Sequence, residues 1–485
     1  MKATNEKKSE GYSSPYDFEG RIPLSQAIPL GLQHVMAMFI GNLTPLIIVM
    51  GVCGLTADAG FGELRTALLQ NAMIIAGVVT LVQMFSIGPV GGKVPIVMGT
   101  SSGFLGVLNN TVAACGGGIL AYGAIMGACI VGGIFESVLG AFLKPLRKFF
   151  PPIVTGSVVI AIGLSLLGVG INYFCGGSGK ADYGSLPNLF LGFVVLVVIV
   201  LLKHFAPQKS ILSSSAILFG ILAGYVVAII MTLTLPHTGI DADGVHSWVV
   251  DFAQVKNAAW IAVPSFIGFG ALSDVKITFQ ASAIIPIGIM FIVTAIETVG
   301  DISACIEGGM DREATDSELS GGVICDGLGS AFAALFGVLP NTSFSQNVGL
   351  VSLTKVVNRF AISMGAIFLI LCGFCPKIGA LMSIMPQSVL GGAAVMMFAS
   401  ILISGIQLIT KHPIGSREIT IISVAIGLGY GLGATTGATA HLPYYVQLIF
   451  GGSGIVPCSL AAIILNIVLP KESKPVREMW ELEDK

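Results

Sequence analysis

Residues 341–356 read NTSFSQNVGLVSLTKV, a polar stretch inside a chain built almost wholly of apolar runs. The chain has 485 residues, of which 54% are hydrophobic and 10% are charged, and its mean hydropathy is +0.90. A soluble domain carries about a quarter of its residues as Asp, Glu, Lys and Arg, so most of this surface must face something other than water. Apolar runs such as 211–235 and 281–296 approach or exceed the ~20 residues that a membrane-spanning helix needs. The sequence therefore predicts an all-α polytopic membrane protein.

Apolar blocks between turn signals predict about fourteen membrane segments. They are 28–51, 67–88, 94–109, 118–143, 152–172, 187–203, 211–235, 279–299, 321–339, 341–356, 360–375, 386–409, 417–435 and 451–470. The third and the tenth of these segments are too short and too polar to be ordinary spans.

The basic residues predict the orientation of these segments. If the N-terminus is cytosolic, 19 of the 24 Lys and Arg residues fall on the cytosolic side and 5 on the opposite side. This bias favours an even number of spans in the plasma membrane, with both termini in the cytosol. Residues 1–23 and 471–485 then form cytosolic tails, and 236–278 form an extracytoplasmic loop. The net charge of −2 argues against nucleic acid as a partner.

The polar stretch has a counterpart in the first half of the chain. PIVMGTSSGFLGVL (Pro95–Leu108) resembles PNTSFSQNVGLVSL (Pro340–Leu353), and the two prolines lie 245 residues apart. Paired short, interrupted segments in two halves indicate a transporter binding site between inverted repeats. The alternative is two coincidental polar turns. Polar backbone at membrane depth is tolerated only where protein buries it or water lines it, so the pattern favours a small ligand rich in hydrogen-bonding groups.

Five ionisable residues fall within or at the ends of the predicted segments. Glu297 and Asp301 are spaced i, i+4 and so share one helix face, and Asp326, His34 and Glu136 lie elsewhere. An ionisable side chain in a membrane segment is expensive and is a functional hypothesis by default. Alternatives remain: the two aspartates could mark span ends, and the histidine could be an ordinary core residue. Glu136 lies close to basic residues that follow the fourth segment, which favours an interfacial or structural role.

The amides of Gln346 and Asn347 favour a particular kind of ligand. A primary amide can make two parallel hydrogen bonds to the N–H and C=O edge of an oxopurine or pyrimidine. A carboxylate opposite could accept from a second ring N–H. The two amides therefore favour a neutral, flat, polar heterocycle.

The sequence predicts neither a metal site nor a cofactor, and it does not favour an enzyme. Cys372 and Cys375 form a lone CxxC inside an apolar segment. Since zinc needs about four ligands, core packing is the better interpretation of this pair.

The run QNVGLVSLTK resembles the signature of the nucleobase–ascorbate transporter family, the xanthine/uracil permeases. The matching positions are Gln346, Asn347, Gly349, Thr354 and Lys355. Three further stretches resemble the family in order and spacing: QHVMAMF (Gln33–Phe39), FPPIVTGSVVIAIGLSL (Phe150–Leu166) and CDGLGS (Cys325–Ser330). The resemblance covers about residues 24 to 470, which is nearly the whole chain.

The resemblance implies fourteen spans in two inverted seven-span repeats, short strands before half-helices 3 and 10, and a homodimer. It implies a core domain, 24–143 and 279–383, that slides against a gate domain, 152–235 and 386–470. Substrate is expected between the short strands that precede the third and tenth half-helices.

The resemblance also implies roles for individual residues. Glu297 is similar to a glutamate that hydrogen-bonds the nucleobase. Gln346 is similar to the side chain that binds the other edge of the nucleobase. Supporting polar positions are matched by Asp301, Asp326 and His34, and further substrate-binding positions by Ser102, Phe104, Ser345 and Asn347. Many members carry Phe at the position of Ser102, so the stacking role is open, with Phe104 two places later. Gln at 346 indicates the xanthine and uric acid branch.

These observations lead to the hypothesis of a proton-coupled symporter that imports xanthine, uric acid or both. Glu297 is the expected proton carrier because burial disfavours a charged carboxylate, and either Asp301 or Asp326 could assist it. The alternatives are a permease for uracil or another nucleobase, and a passive facilitator or anion transporter on the same fold.

Overall fold

The computed structural model describes residues 12–143, 151–177, 180–207, 211–235, 246–410, 413–435, 437–439, 441–443, 446, 450 and 454–470. Residues 1–11 of the predicted N-terminal tail, 236–245 of the predicted outer loop and the whole predicted C-terminal tail, 471–485, lie outside these ranges.

The described chain is mostly helical, and its helices of ten or more residues are numbered here α1 to α14. The first seven are α1 (Leu24–Val52), α2 (Gly62–Phe85), α3 (Leu105–Ala114), α4 (Gly118–Ala141), α5 (Pro152–Phe174), α6 (Leu186–Phe205) and α7 (Ala216–Thr234). The second seven are α8 (Ala281–Met310), α9 (Asp316–Leu335), α10 (Ser345–Thr354), α11 (Arg359–Gly373), α12 (Gln387–Thr410), α13 (Ser416–Ala434) and α14 (Ile455–Val468). Shorter helices lie at Ala57–Phe61, Ile211–Ser214, Ala253–Asn257, Gly270–Leu272 and Pro376–Ser383.

Within the described ranges, 8 helices are long and apolar enough to cross a membrane, or up to 9 if one bent pair forms a single span. The bent pair is α11 with Pro376–Ser383, which meet at 82°. The chain is thus a multi-pass membrane protein. The number of fourteen crossings stays a prediction.

The third and tenth predicted segments each consist of a short strand followed by a ten-residue helix. Strand β1 (Met98–Thr100) precedes α3, and β2 (Asn341–Ser343) precedes α10. Strands before these two half-helices were expected from the family resemblance, and the structure confirms them. At 1.5 Å per residue, a ten-residue helix extends about 15 Å, roughly half of a ~30 Å hydrocarbon core.

Local sequence explains where several helices begin. Thr315 and Glu318 form a capping box at the start of α9, which satisfies two otherwise free backbone N–H groups. The side chain of Asn358 accepts from the N–H of Ala361 at the start of α11. Pro152 occupies the first position of α5, where its missing N–H is not needed.

The packing pattern of the helices repeats after seven helices. α4 packs against α8 and α9, and α11 packs in the same way against α1 and α2. α6 packs on α7 as α13 packs on α14, while α5 and α12 pack on each other. β1 and β2 run antiparallel, which is the relation expected of two repeats of opposite orientation. The predicted fold class is confirmed.

Two sets of helices make most of their contacts internally. One set is α1 to α4 with α8 to α11; the other is α5 to α7 with α12 to α14. Smaller contacts join the two sets, including α1 with α7, α8 with α5, and α10 with α12. The two strands and both half-helices belong to the first set and lie near this boundary.

Candidate functional site

The centre of the candidate site is the antiparallel pair formed by β1 and β2. The register places Met98 opposite Ser343, Gly99 opposite Thr342, and Thr100 opposite Asn341. All six of these residues are buried. Because each strand runs directly towards a half-helix, the pair brings the N-termini of α3 and α10 into one region.

Equivalent hydroxyl groups on α2 and α9 hold the two strands. The Oγ1 of Thr80 accepts from the N–H of Met98 at 2.9 Å. The Oγ of Ser330 accepts from the N–H of Asn341 at 2.9 Å and donates to the carbonyl oxygen of the same residue at 3.2 Å. These bonds satisfy strand groups that a two-stranded sheet leaves free. They fix each strand to the helix that precedes it.

A side chain from α1 also holds β1, and its counterpart on α8 holds the segment after β2. The Oδ1 of Asn42 accepts from the N–H and the Oγ1 of Thr100, at 2.8 and 3.0 Å. The Oδ2 of Asp301 accepts from Ser343 Oγ at 2.7 Å and from Ser345 Oγ at 3.0 Å. Asp301 therefore fixes the turn between β2 and α10, and it occupies the hydroxyl of Ser345.

Glu297 presents a free carboxylate oxygen to this region. Its Oε2 is buried and has no hydrogen-bond partner, although the residue as a whole is half-buried. A methyl group added at Gly103, in the turn between β1 and α3, would lie 3.7 Å from that oxygen. Since a buried carboxylate oxygen needs a donor, this oxygen is available to a ligand N–H.

Asp326 and Glu136 lie behind Glu297 and are fully buried. The Oγ1 of Thr298 donates to Asp326 Oδ2, and the Oγ1 of Thr294 donates to Glu136 Oε1 at 3.3 Å. The second oxygen of each carboxyl group is buried without a partner. The interfacial alternative for Glu136 is therefore wrong: its basic neighbours are close in sequence, but the side chain points into the protein towards α8.

A close approach of α4 and α9 places Glu136 near Asp326. A Cβ atom at Gly327 would meet the backbone of Gly133 and, at 2.6 Å, the backbone nitrogen of Ser137. Only glycine allows this contact, because real Cβ contacts of that length are essentially never seen. Asp326 precedes Gly327 on α9 and Glu136 precedes Ser137 on α4, so this contact brings the two acids together.

The amide of Asn347 links α10 to α1 through His34. Its Nδ2 donates to the His34 carbonyl oxygen at 3.2 Å and lies 3.4 Å from the His34 Nδ1. Both residues are buried, and the Oδ1 of Asn347 has no partner. Gln346 lies in the first turn of α10, but its side chain lies outside the described part of the structure.

The remaining predicted substrate-binding residues differ in exposure. Ser102 is half-buried in the turn after β1. Phe104 is fully buried, and its ring packs edge-on against Phe291 with the centroids 4.8 Å apart. The ring of Phe344 packs against Gly41 on α1 and Gly99 of β1. Phe344 was not predicted from the sequence, although it directly precedes the predicted site residue Ser345.

The end of the signature motif closes α10 and does not reach the strands. Thr354 Oγ1 donates to the carbonyl oxygen of Leu350 at 2.8 Å. Lys355 has a left-handed backbone conformation, with φ of 59°, and forms a 2.8 Å ion pair with Asp311. Gly349 faces open space. These three motif residues therefore shape and orient the half-helix.

The site contains carboxyl groups without a matching positive charge. Among the described ion pairs, none involves Glu136, Glu297, Asp301 or Asp326. In the described residues, no group of three or more His, Cys, Asp and Glu side chains has the arrangement of a metal site. Four ionised carboxylates close together would repel one another strongly.

The comparisons with known proteins agree with this geometry. A protein-family model described as "Permease family" (Xan_ur_permease) matches residues 25–437. The chain is 37% identical to the putative purine permease CPE0397 of Clostridium perfringens, over 97% of this chain and 96% of that protein. It is 35% identical to the xanthine permease of Bacillus subtilis, over 93% of this chain and 95% of that protein. It is also 34% identical to the uric acid permease PucK of the same organism, over 91% of this chain and 95% of that protein.

Two solved structures show the same fold at low sequence identity. The transmembrane domain of the cyanobacterial bicarbonate transporter BicA matches with a TM-score of 0.53 at 15% identity, covering 93% of this chain and all of that domain. The murine anion transporter Slc26a9 in its inward-facing state matches with a TM-score of 0.54 at 11% identity, over 93% of this chain and 69% of that one. With the family match over most of its length, the chain belongs to the xanthine/uracil permease family, as the QNVGLVSLTK motif indicated.

Proposed function

We propose that this protein imports an oxopurine, xanthine or uric acid, together with protons. The relatives named for purine, xanthine and uric acid transport match over almost the full chain. The observation that carries the proposal is the free, buried Oε2 of Glu297 opposite the turn after β1. A ring N–H of an oxopurine supplies the donor that this oxygen lacks.

The surrounding groups favour a neutral heterocycle over a charged solute. Glu297 accepts one ring N–H, and the amide of Gln346 pairs with the opposite N–H and C=O edge. An anion would meet the carboxylates of Glu297 and Asp301 without a described positive partner. This charge distribution supports a nucleobase over the anions that proteins of similar fold carry.

Protonation of the carboxyl groups lowers the electrostatic cost of moving this site through an apolar environment. Ionised carboxylates lose solvation when they enter an apolar environment, and the four acids here have no described countercation. In the proposed cycle, substrate hydrogen-bonds to Glu297 while protons that bind to the other carboxyl groups reduce the negative charge of the cluster. The coupling then follows because the loaded, less charged site moves more easily than the empty, more highly charged one.

The two sets of helices supply the moving parts of the proposed mechanism. The first set, within 24–143 and 279–383, acts as a core domain that holds the strands and the site. The second, within 152–235 and 386–470, acts as a gate domain. The core slides past the gate as a rigid body and opens the site to each side in turn. We further propose a homodimer in the plasma membrane with both termini in the cytosol.

The test is uptake of radiolabelled xanthine into proteoliposomes, with and without an inward proton gradient. Gradient-dependent accumulation that unlabelled xanthine or uric acid blocks, and uracil does not, is the expected result. Inhibition by uracil alone would assign a different nucleobase. Flux that never exceeds equilibrium and ignores a protonophore would indicate a passive facilitator and overturn the coupling.

A further inference from the structure

Two hydroxyl groups connect Asp326 on α9 with Asp301 on α8. Thr298 Oγ1 hydrogen-bonds Asp326 Oδ2, and Ser343 Oγ hydrogen-bonds Asp301 Oδ2 at 2.7 Å. The two hydroxyl oxygens lie 3.3 Å apart, within hydrogen-bond distance, and either could be the donor. The four groups therefore form one continuous chain: carboxyl, hydroxyl, hydroxyl, carboxyl.

The number of hydrogens in this chain determines which bonds can exist together. Each hydroxyl carries one hydrogen. When both carboxyl groups are ionised, Thr298 donates to Asp326 and Ser343 donates to Asp301, and the contact between the two hydroxyls has no hydrogen. Three contacts then share two hydrogens, so one buried contact is left unsatisfied.

One added proton satisfies all three contacts. If the proton is on Asp326, that acid donates to Thr298, Thr298 donates to Ser343, and Ser343 donates to Asp301. If it is on Asp301, every bond in the chain points the other way. The two arrangements contain the same atoms and differ only in the direction of three hydrogen bonds.

We infer that Thr298 and Ser343 form a relay that holds one proton between Asp301 and Asp326. In the transfer, Asp326 gives its proton to Thr298, Thr298 gives its own to Ser343, and Ser343 gives its own to Asp301. Each hydroxyl loses one proton and gains one, so the net change is one proton moved between the acids. This role rests on the proposed proton coupling and adds Thr298 to it as a new residue.

The surroundings of the relay fit a proton path. Thr298, Asp326 and Ser343 are buried, at 0%, 0% and 5% exposure. The other titratable groups that act on the two aspartates are Glu297 beside the ligand position, Glu136 from α4, and the thiols of Cys305 and Cys325. No described Lys or Arg forms an ion pair with any member of the relay, so no described cation fixes the charge on one acid.

The relay also connects a proton to the ligand region. Asp301 accepts from both Ser343 and Ser345, which lie on either side of the turn into α10. A proton that arrives on Asp301 changes the bonds that hold this turn. A proton on Asp326 neutralises that acid on α9 and leaves the bonds from Ser343 and Ser345 to Asp301 intact.

The decisive variant is Thr298→Val, which keeps the shape of the side chain and removes the hydroxyl. Thr298→Ser restores the hydroxyl. Thr111→Val on α3 is the matched control, because this threonine is also buried but its hydroxyl donates to the backbone carbonyl oxygen of Val107 instead of to an acid. Size-exclusion profiles of the purified variants verify that each is folded.

The first readout is the infrared absorption of protonated carboxyl groups in the purified protein, which needs neither substrate nor transport. The relay predicts a shifted carboxylic-acid C=O band in Thr298→Val, a wild-type band in Thr298→Ser, and a wild-type band in Thr111→Val. An unshifted band in Thr298→Val would overturn the relay, whether or not the protein transports xanthine.

The second readout separates coupling from binding. In proteoliposomes, Thr298→Val should lose accumulation driven by the proton gradient but keep exchange of labelled for unlabelled xanthine at equal pH. Full gradient-driven accumulation by Thr298→Val would overturn the relay. If the wild type transports no xanthine while the infrared shift is present, the proposed function fails and the relay stands.

Discussion

The hydrogen bond from Tyr225 on α7 to the carbonyl oxygen of Leu381 joins the two sets of helices. It measures 3.2 Å, and Tyr225 is 4% exposed. Tyr225→Phe removes the hydroxyl and little else. The net contribution of such a hydrogen bond to the stability of the state that contains it is about 0.5–1.5 kcal/mol. If the first set moves as a rigid body relative to the second, the bond exists in only one of the two end states. Loss of the hydrogen bond should therefore reduce the population of the end state seen here, relative to the other end state, by about two- to twelve-fold.

A matched control is available within the first set of helices. Tyr122 on α4 donates to the carbonyl oxygen of Gly337 at 2.5 Å, and both groups move together in the proposed mechanism. Tyr122→Phe should lower the melting temperature without changing the ratio of end states.

The assay is a pulsed electron paramagnetic resonance distance measurement in lipid nanodiscs. Spin labels at the exposed positions Leu222 on α7 and Leu371 on α11 report the distance between the two sets. The expected result is a redistribution between two distances in Tyr225→Phe and none in Tyr122→Phe. Identical distributions in the wild type and in both variants would refute the rigid-body reasoning, because the bond would then be present in every populated state.

Three further predictions follow from individual contacts. Glu297→Gln should lose gradient-driven accumulation of xanthine in proteoliposomes; full accumulation would remove Glu297 as a proton carrier. Gly327→Ala should lower the free energy of unfolding by about 1–3 kcal/mol through overpacking of α4 against α9, whereas Gly288→Ala, which meets open space, should not; thermal melts of the two variants decide this. Burial alone would raise the pKa of Glu318, but the ion pair with Arg312 and the hydrogen bonds from Thr315 outweigh it and lower this pKa. The contribution to stability is therefore present above the ordinary carboxyl pKa of about 4.3 and is lost as the pH falls through the lowered value. The wild-type melting temperature should therefore fall more than that of Glu318→Gln between neutral pH and about pH 3.

The sequence predicted those parts of the site that break the apolar pattern. Glu297 and Asp301 were found because charged residues are rare in membrane segments, and their spacing placed them on one helix face. The two short, interrupted segments were found because their polar residues break the apolar pattern at similar places, half a chain apart. In both cases the physical signal survives in the sequence alone, whereas the strands before the half-helices were expected only from the family resemblance.

The residues that connect the acids left no such signal. Thr294, Thr298 and Ser343 are small hydroxyl residues, which occur in membrane helices without a large energetic penalty. Their importance depends on which carboxyl group lies across the helix interface, and that is a property of packing. Only the interfacial part of the prediction for Glu136 was wrong, for the related reason that distance along the chain says little about distance in space.

The short helix Pro376–Ser383 was also not predicted. Apolar residues on both sides of Pro376 made the segment look like the end of a span, and a proline permits either a helix start or a break. The 82° bend turns this helix across the end of α2, where Gln70 donates to the carbonyl oxygen of Gly373 at 2.9 Å. Such long-range contacts could not be read from periodicity.

The two repeats hold their strands by similar contacts but with different chemistry. In the first repeat Asn42 binds Thr100 of β1, and an amide does not titrate. In the second repeat Asp301 binds Ser343 of β2 and Ser345 of α10, and the strength of these bonds depends on whether Asp301 holds a proton. The described acids of the site lie on α4, α8 and α9, and the pair joined by the relay reaches only β2. A change of pH should therefore alter the turn into α10 while leaving the turn into α3 in place. The first repeat then keeps its side of the site in one conformation, and the second repeat changes conformation with the protonation of Asp301.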